Sequence, residues 1–564
     1  MAKKESGLTY LQMPLPEGTK YSKLTKQSWS GLNLRQTIDT GELSMEKNIS
    51  TKEAPYLTPS PKWLPYKDLN YKNPISMFGF DNFLLVIYRD GSLLKVDYIH
   101  KSGDVYTGVL KEDATSDDEY PRSVVQFNVY MESDDIVNGE YKKKLLIFPD
   151  KKSMYFDVDN LLNDEENDTG CDFKLQDMDV TIKEYYNETA PYLPPDTANR
   201  DDYYKNTYKC DETMQGTAIY KYSKYETEDE NGNKDGGIEY GWKISIPPVF
   251  PDIKYAAVHL SRLFGVSDDS VYASGFNDYA NWSLDSVDAY NESNAWCSKA
   301  QSNTKAGGEF TGITVFQGHV ICFKRDFMHE LYNTKNPFRI QDIFAEGSID
   351  NRTIQDVDGR LIFVSDDNVK IYTGSNPRVI GYNLNINHFK SAVSGNDGRN
   401  YYLFCIDEND KKRLFVYDTY FEKWSEQSAV CSVLNFAHNK NGMYALCDDG
   451  FVYEISTENY KHRWCFETDL FTNTTVDIKH IKKIQLVADI AAGANLRIYI
   501  LYDDEAYGPT SQLVYSGGSQ GRNVIRIKPR QTASYGIKLH FEGFGYIRLY
   551  ELEMHIQTGG DLYA

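Results

Sequence analysis

The residues best placed to do chemistry are acidic. Asn231, Asn233 and Asp235, followed by Gly236 and Ile238, have the spacing that opens an EF-hand calcium loop. The pattern then fails: the twelfth position from Asn231 is Trp242, where a bidentate glutamate is needed. Residues 231–239 therefore read as an Asn/Gly hairpin turn. Aspartate doublets recur at Asp268-Asp269, Asp366-Asp367, Asp448-Asp449 and Asp503-Asp504. A glycosidase needs two facing carboxylates. These doublets fall at repeated hairpin turns, where Asp hydrogen-bonds its own backbone. His319, His329 and His388 have neither HExxH nor HxH spacing, so zinc is unsupported. There is no GxSxG leading from a strand into a helix, no P-loop and no GxGxxG before a helix. No catalytic, cofactor-binding or metal-binding residue is assigned, no cofactor is expected, and the chain is expected not to be an enzyme.

Composition says what must hold any site in place. Of 564 residues, 41% are hydrophobic, enough for packed cores, and 14% are aromatic, with 44 tyrosines. Aromatic residues suit pleated, half-buried surfaces, so sheet is favoured over helix. The net charge of −21 repels nucleic-acid phosphate and argues against non-specific DNA or RNA binding. The eight cysteines form no CxxC; Cys322, Cys405 and Cys447 sit in apolar strand runs as small hydrophobes. The expectation is a reduced, intracellular protein and not a disulfide framework; Cys171 and Cys210 lie in the same loop-rich region and could pair. The start, MAKKESGLTYLQ, has lysines without an apolar stretch behind them, and no run of 18 apolar residues occurs. No membrane insertion is expected.

Four glycines carry the organisation. Gly318, Gly359, Gly398 and Gly442 each open a similar phrase, at intervals of 41, 39 and 44 residues. Each phrase is an apolar and aromatic run, a polar Asp-rich turn, then a second alternating run. That is a β-hairpin repeated at the period of β-propeller blades. One such small sheet cannot bury both faces and must stack on neighbours. Residues 80–99, 143–158 and 261–275 add three more hairpins, making seven. The first has the turn Arg89-Asp90-Gly91.

The expected fold is all-β: a β-propeller of about six to eight small sheets with a C-terminal β-sandwich. Residues 1–70, polar and proline-containing, read as an extended N-terminal arm that gains order by lying against the body or a neighbour. Residues 71–462 read as the propeller, interrupted by an acidic insertion at about 159–250 that includes two strands joined by an exposed turn. Residues 463–564 read as the sandwich, with six short strands between 478 and 556.

Two stretches resemble bacteriophage neck and tail propeller proteins of the nozzle or head–tail stabilisation type. Residues 261–282, SRLFGVSDDSVYASGFNDYANW, match their Arg-Leu-Phe-Gly, Val-Tyr and Asp…Trp phrase, and residues 310–331 and 359–380 follow at the expected places. Residues 30–50, SGLNLRQTIDTGELSMEKNIS, are similar to their common start: a Gly…Asn phrase, an acidic helix-like turn, then an Asn. The resemblance implies a structural virion component with no catalysis, assembled in the host cytoplasm. It implies a symmetric ring of identical copies, contacts with other phage head–tail or tail proteins, and a DNA conduit crossed without specific binding. The matching positions are glycines, aromatics and turn residues, so no functional residue is carried over. The insertion and terminal sandwich depart from the pattern. Two alternatives stay open: a tail adhesin binding host-surface glycan, and a propeller hydrolase acting on polysaccharide.

Overall fold

The computed structural model describes residues 8–11, 20–26, 29–35, 42–100, 102–114, 122–131, 140–155, 175–178, 183–187, 206–209, 217–228, 234–246, 250–268, 270–282, 295–299, 308–335, 338–344, 346–455, 459–471, 478–503, 513–516, 521–529 and 532–558. Among them the regular structure is strand, with two short 3-10 turns at Asn351–Thr353 and Gly381–Leu384. The fold is all-β and propeller-like, built of many small antiparallel sheets.

Seven four-stranded sheets have their strands in meander order, and each contains one of the seven expected hairpins as its middle pair. Six are continuous in sequence, within residues 74–111, 123–177, 255–299, 310–344, 355–379 and 389–427. The seventh takes three strands from 433–455 and its fourth, Trp63–Asn70, from near the N-terminus. At Gly359 the repeated glycine has a local cause. Val357 pairs with Arg360, leaving Asp358 and Gly359 as a two-residue turn with φ of 53° and 69°. Positive φ at both positions marks the type I′ turn that matches strand twist.

An eighth four-stranded sheet lies in the acidic insertion, in the order Lys183–Asn187, Lys234–Ile246, Thr217–Glu228, Asn206–Lys209. Its order is not that of a meander. Asp235, Gly236, Ile238 and Trp242 are in one of its long strands. The candidate calcium-loop positions Asn231 and Asn233 lie outside the described residues, as do Cys171 and Cys210.

By internal contacts the chain forms two compact units. One comprises residues 1–86, 99–104 and 352–564; the other comprises 87–98 and 105–351. In the second unit, successive sheets bury apolar faces against each other. Phe264, Val266 and Val271 pack with Phe310, Val320 and Cys322, and Phe127, Leu146 and Phe148 pack with Phe250 and Trp282. In the first unit, Tyr402, Phe404 and Val416 pack with Phe436, Ala445 and Trp63.

The first unit also contains two five-stranded sheets. One is ordered Leu8–Leu11, Lys20–Lys26, Ile547–Thr558, Lys479–Ile490, Arg522–Ile527; the other Leu43–Lys47, Arg463–Thr468, Ile537–Phe544, Asn495–Tyr502, Leu513–Ser516. Their inner faces share one core that includes Phe466, Ile484, Leu486, Leu539, Phe541 and Leu552. Strand Lys479–Ile490 shows why. Ile484, Leu486, Ala488 and Ile490 alternate inward with half-exposed residues between them, the period of two that puts one face in a core. Within residues 1–70, read from sequence as an arm, three strands belong to these sheets and one completes the seventh meander sheet.

Cys431 and Cys447 form a disulfide, so Cys447 is not the free thiol its apolar run suggests. Its strand places it opposite Val433, two residues from Cys431. Cys322 and Cys405 are buried thiols, and burial pushes both above the ordinary thiol range. Among the described residues no helix is long and apolar enough to cross a membrane.

Candidate functional site

Of the aspartate doublets, Asp269 and Asp504 lie outside the described residues, and several of the described carboxylates accept hydrogen bonds at turns or from neighbouring segments. Asp449 Oδ1 accepts the Phe451 amide at 3.1 Å, Asp448 Oδ1 the Ser432 amide at 3.1 Å, and Asp503 Oδ1 the Tyr535 and Gly536 amides at 2.6 and 2.8 Å. Ser365 Oγ donates to Asp367 at 2.7 Å. His319 faces Glu330 at 3.1 Å, His329 is buried against the Phe310 and Phe327 rings, and His388 is exposed.

The structure concentrates polar side chains elsewhere, along residues 29–70. This segment works as a strap within the first unit. Trp29 is buried with its ring edge-on to Phe466 at 5.5 Å, and Phe466 stacks on Phe541 at 4.6 Å. The Leu32 amide donates to Trp424 O at 3.0 Å and the Leu34 amide to Asn383 O at 2.8 Å. Strand Leu43–Lys47 then pairs with Arg463–Thr468, Leu43 opposite Thr468 and Lys47 opposite Cys465. Residues 36–41 of the acidic helix-like turn expected within residues 30–50 lie outside the described residues; Leu43–Lys47 is strand, because this stretch finds a sheet edge to join.

Asn48 ties three segments. Its φ of 59° is left-handed, a region Asn tolerates. Its Nδ2 donates to Ser428 Oγ at 3.0 Å and Arg463 O at 2.8 Å, and its Oδ1 accepts the Ser428 amide at 2.7 Å. Farther along, Arg399 donates to Lys52 O at 3.3 Å, Arg548 pairs with Glu53, and Leu57 exchanges backbone bonds with Leu549 at 3.3 and 2.9 Å. Trp63 Nε1 donates to Gln427 Oε1 at 3.1 Å at the start of the closing strand.

A charged clasp sits where the strap meets strand Lys423–Gln427. Arg413 grips Glu426 with two bonds, Nε to Oε1 at 3.1 Å and Nη2 to Oε2 at 2.7 Å, the fork geometry that makes such pairs strong. Lys47 of the strap pairs with the same carboxylate. Beside it Glu46 is fully buried, and no side chain hydrogen-bonds either of its oxygens. Burial raises its pKa well above the ordinary 4.5, the Glu426 carboxylate raises it further, and the Glu426 backbone opposes the shift. Glu426 and Cys465 are titratable groups that interact with it, and Lys47 pairs with Glu426.

The sign of the pH effect follows. Above the unfolded value near 4.5 the unfolded chain releases this proton while the folded chain keeps it. The group's contribution to stability therefore falls as pH rises from that value towards the folded pKa. Thermal midpoints of the wild type and Glu46→Gln across pH 5 to 8 should diverge, with the variant gaining relative to the wild type as pH rises. A pH-independent difference would contradict the buried, protonated carboxyl.

A second feature comes from the repeat. Arg360 and Arg399 each follow a repeated glycine, and both reach the turn of residues 418–422. Arg360 donates to Thr419 O, Arg399 pairs with Asp418 at 2.6 Å, and Arg378 pairs with Glu422 at 3.2 Å. The Arg399 guanidinium lies 5.5 Å from the Tyr420 ring centroid and 5.4 Å from that of Phe421. Tyr420 is 72% exposed. Neither cluster was assigned from sequence. The Gly-Arg dipeptides at 359–360 and 398–399 were the available signal for this one; Glu46 and Glu426 have none.

No family model and no curated protein matches this chain. Among solved structures, a puromycin hydrolase is similar at 7% identity and a TM-score of 0.27, covering 72% of this chain and 61% of its own. The chain thus spans about three fifths of that protein's length. Trypanosoma rangeli sialidase is similar at 8% identity and 0.24, covering 88% and 94%. A glycoside hydrolase family 43 arabinoxylan arabinofuranohydrolase from Bacillus subtilis is similar at 10% and 0.17, covering 61% and 94%. Likeness at this level carries no argument about activity.

Proposed function

We propose that the chain is a non-catalytic structural component of a phage virion, a neck or tail part that assembles with copies of itself into a ring or nozzle around the DNA path. The observation behind this reading is the strap. Residues 29–70 are stitched by strand pairing, the Asn48 bonds and the Glu426 clasp into sheets made by residues 389–564. A part that holds other parts in place gains from chain ends locked into its own sheets, because pulling on the terminus must shear paired strands. The Glu426 carboxylate is buried and engaged in the clasp, and Glu46 is buried beside it. The resemblance of residues 30–50 and 261–380 to phage propeller proteins points the same way.

The exposed Tyr420 beside Arg399 favours a second reading, a glycan-binding adhesin, since an aromatic face flanked by planar donors suits a sugar ring. A propeller hydrolase acting on polysaccharide, left open by the sequence, is the third reading. Mass spectrometry of purified phage particles, a glycan-array binding assay and reducing-sugar release assays on bacterial polysaccharides together separate the three. The structural reading expects the chain in the particle at a fixed copy number and no sugar release. Turnover of a polysaccharide by the purified chain would overturn it.

A further inference from the structure

The net charge of −21 is unevenly placed. Residues 463–564 hold eleven Lys/Arg and eleven Asp/Glu, so all of it resides in residues 1–462. Within the neutral C-terminal part, residues 506–541 contain five Lys/Arg and no Asp or Glu. Strand Arg522–Ile527 runs through this acid-free stretch and stands last in its five-stranded sheet. One side pairs with Lys479–Ile490, Arg522 opposite Asp489 and Arg526 opposite Gln485. Its other edge has no partner strand among the described residues.

The side chains divide cleanly between the two faces. Ile525 and Ile527 enter the sandwich core. Arg522, Val524 and Arg526 alternate outward, Lys528 follows exposed, and Val524 is 57% exposed. The Arg522 guanidinium lies 4.7 Å from the Tyr550 ring centroid, which fixes its direction. Among the described residues no carboxylate forms an ion pair with Arg522, Arg526 or Lys528, in a chain where acids outnumber bases 82 to 61.

We propose that this basic edge docks the acidic surface of a second copy of the chain. The proposal rests on the ring-forming reading above and names the surface that would make the ring. Like charges placed opposite each other across two strands destabilise their pairing, so the edge cannot pair with its own counterpart about a two-fold axis. The complementary surface is in residues 1–462, which carry the negative charge. A contact between two different surfaces is heterologous, and its repetition yields a closed ring or an open filament. The free strand edge supplies backbone donors and acceptors, and the alternating arginines supply charge-assisted bonds to carboxylates. Nucleic acid is the rival polyanion, disfavoured by the charge on the rest of the chain.

Sedimentation velocity of the full chain and of Arg522→Glu/Arg526→Glu/Lys528→Glu, at low and high salt, tests this. The wild type should form multimers that weaken with salt, and the reversed variant should associate at least about tenfold more weakly with its thermal midpoint held. Arg526→Gln/Lys528→Gln should fall between and guards against misfolding of the triple variant. Equal association of wild type and variants overturns this interface and leaves the ring reading standing. A wild type that is monomeric at every concentration overturns both. Binding of a DNA duplex that is lost on charge reversal, with self-association unaffected, assigns the strand to nucleic acid and overturns the proposal.

Discussion

Replacing Trp63 by alanine is expected to destabilise the first unit by about 3–5 kcal/mol, the usual cost of emptying a buried tryptophan site. Trp63 opens the strand that completes the seventh meander sheet, so its loss acts where a strand from near the N-terminus pairs with Phe451–Ile455. It packs in the cluster with Tyr402, Phe404 and Phe436, with the Phe436 ring edge-on at 6.0 Å. Its indole N–H is also the donor to Gln427. Trp63→Phe keeps most of the packing and leaves Gln427 Oε1 without this donor, so about 1–3 kcal/mol is expected. Urea unfolding followed by intrinsic fluorescence reads both. A midpoint unchanged by Trp63→Ala would mean that Trp63–Asn70 is not part of the folded sheet.

Arg413→Met is expected to cost about 3–5 kcal/mol, because it strips a buried carboxylate of its bidentate partner. Glu426 would keep only Lys47, whose side chain is partly exposed, and would still lie beside Glu46. High salt should change the loss little, since a buried pair is weakly screened. Adding Glu426→Leu should recover most of it, since an apolar replacement of a whole buried pair is often neutral or stabilising. Chemical denaturation of the single and double variants checks this. Failure of the second change to recover stability would mean that the clasp holds the strap by more than charge.

What could be read from the sequence was local. Gly359 marked where the strand Arg360–Val364 begins, and the turn that it shares with Asp358 has the residue types that its left-handed angles demand. The six C-terminal strands were legible because residues such as Ile484, Leu486 and Ala488 alternate with polar neighbours. The turn at Leu260-Ser261 was not visible as such, since both residues adopt positive φ (47° and 56°) without glycine or asparagine. The insertion's strand order was hidden because pairing Lys183–Asn187 with Lys234–Ile246 is a non-local choice. The strap was hidden for the same reason. Lys47 and Glu426 are 379 residues apart, and only the tertiary register brings them together. A polar, proline-containing segment reads as an arm whenever its partner strands lie at the other end of the chain.

Native-state hydrogen exchange of the full chain is the most direct measurement. If residues 29–70 are a strap built into the fold, the amides of Leu43–Lys47 and Trp63–Asn70 that pair with neighbouring strands exchange as slowly as those of the core strand Arg463–Thr468. Exchange of those amides at the rate of an unstructured chain, with Arg463–Thr468 still protected, would contradict it and remove the observation on which the structural role rests.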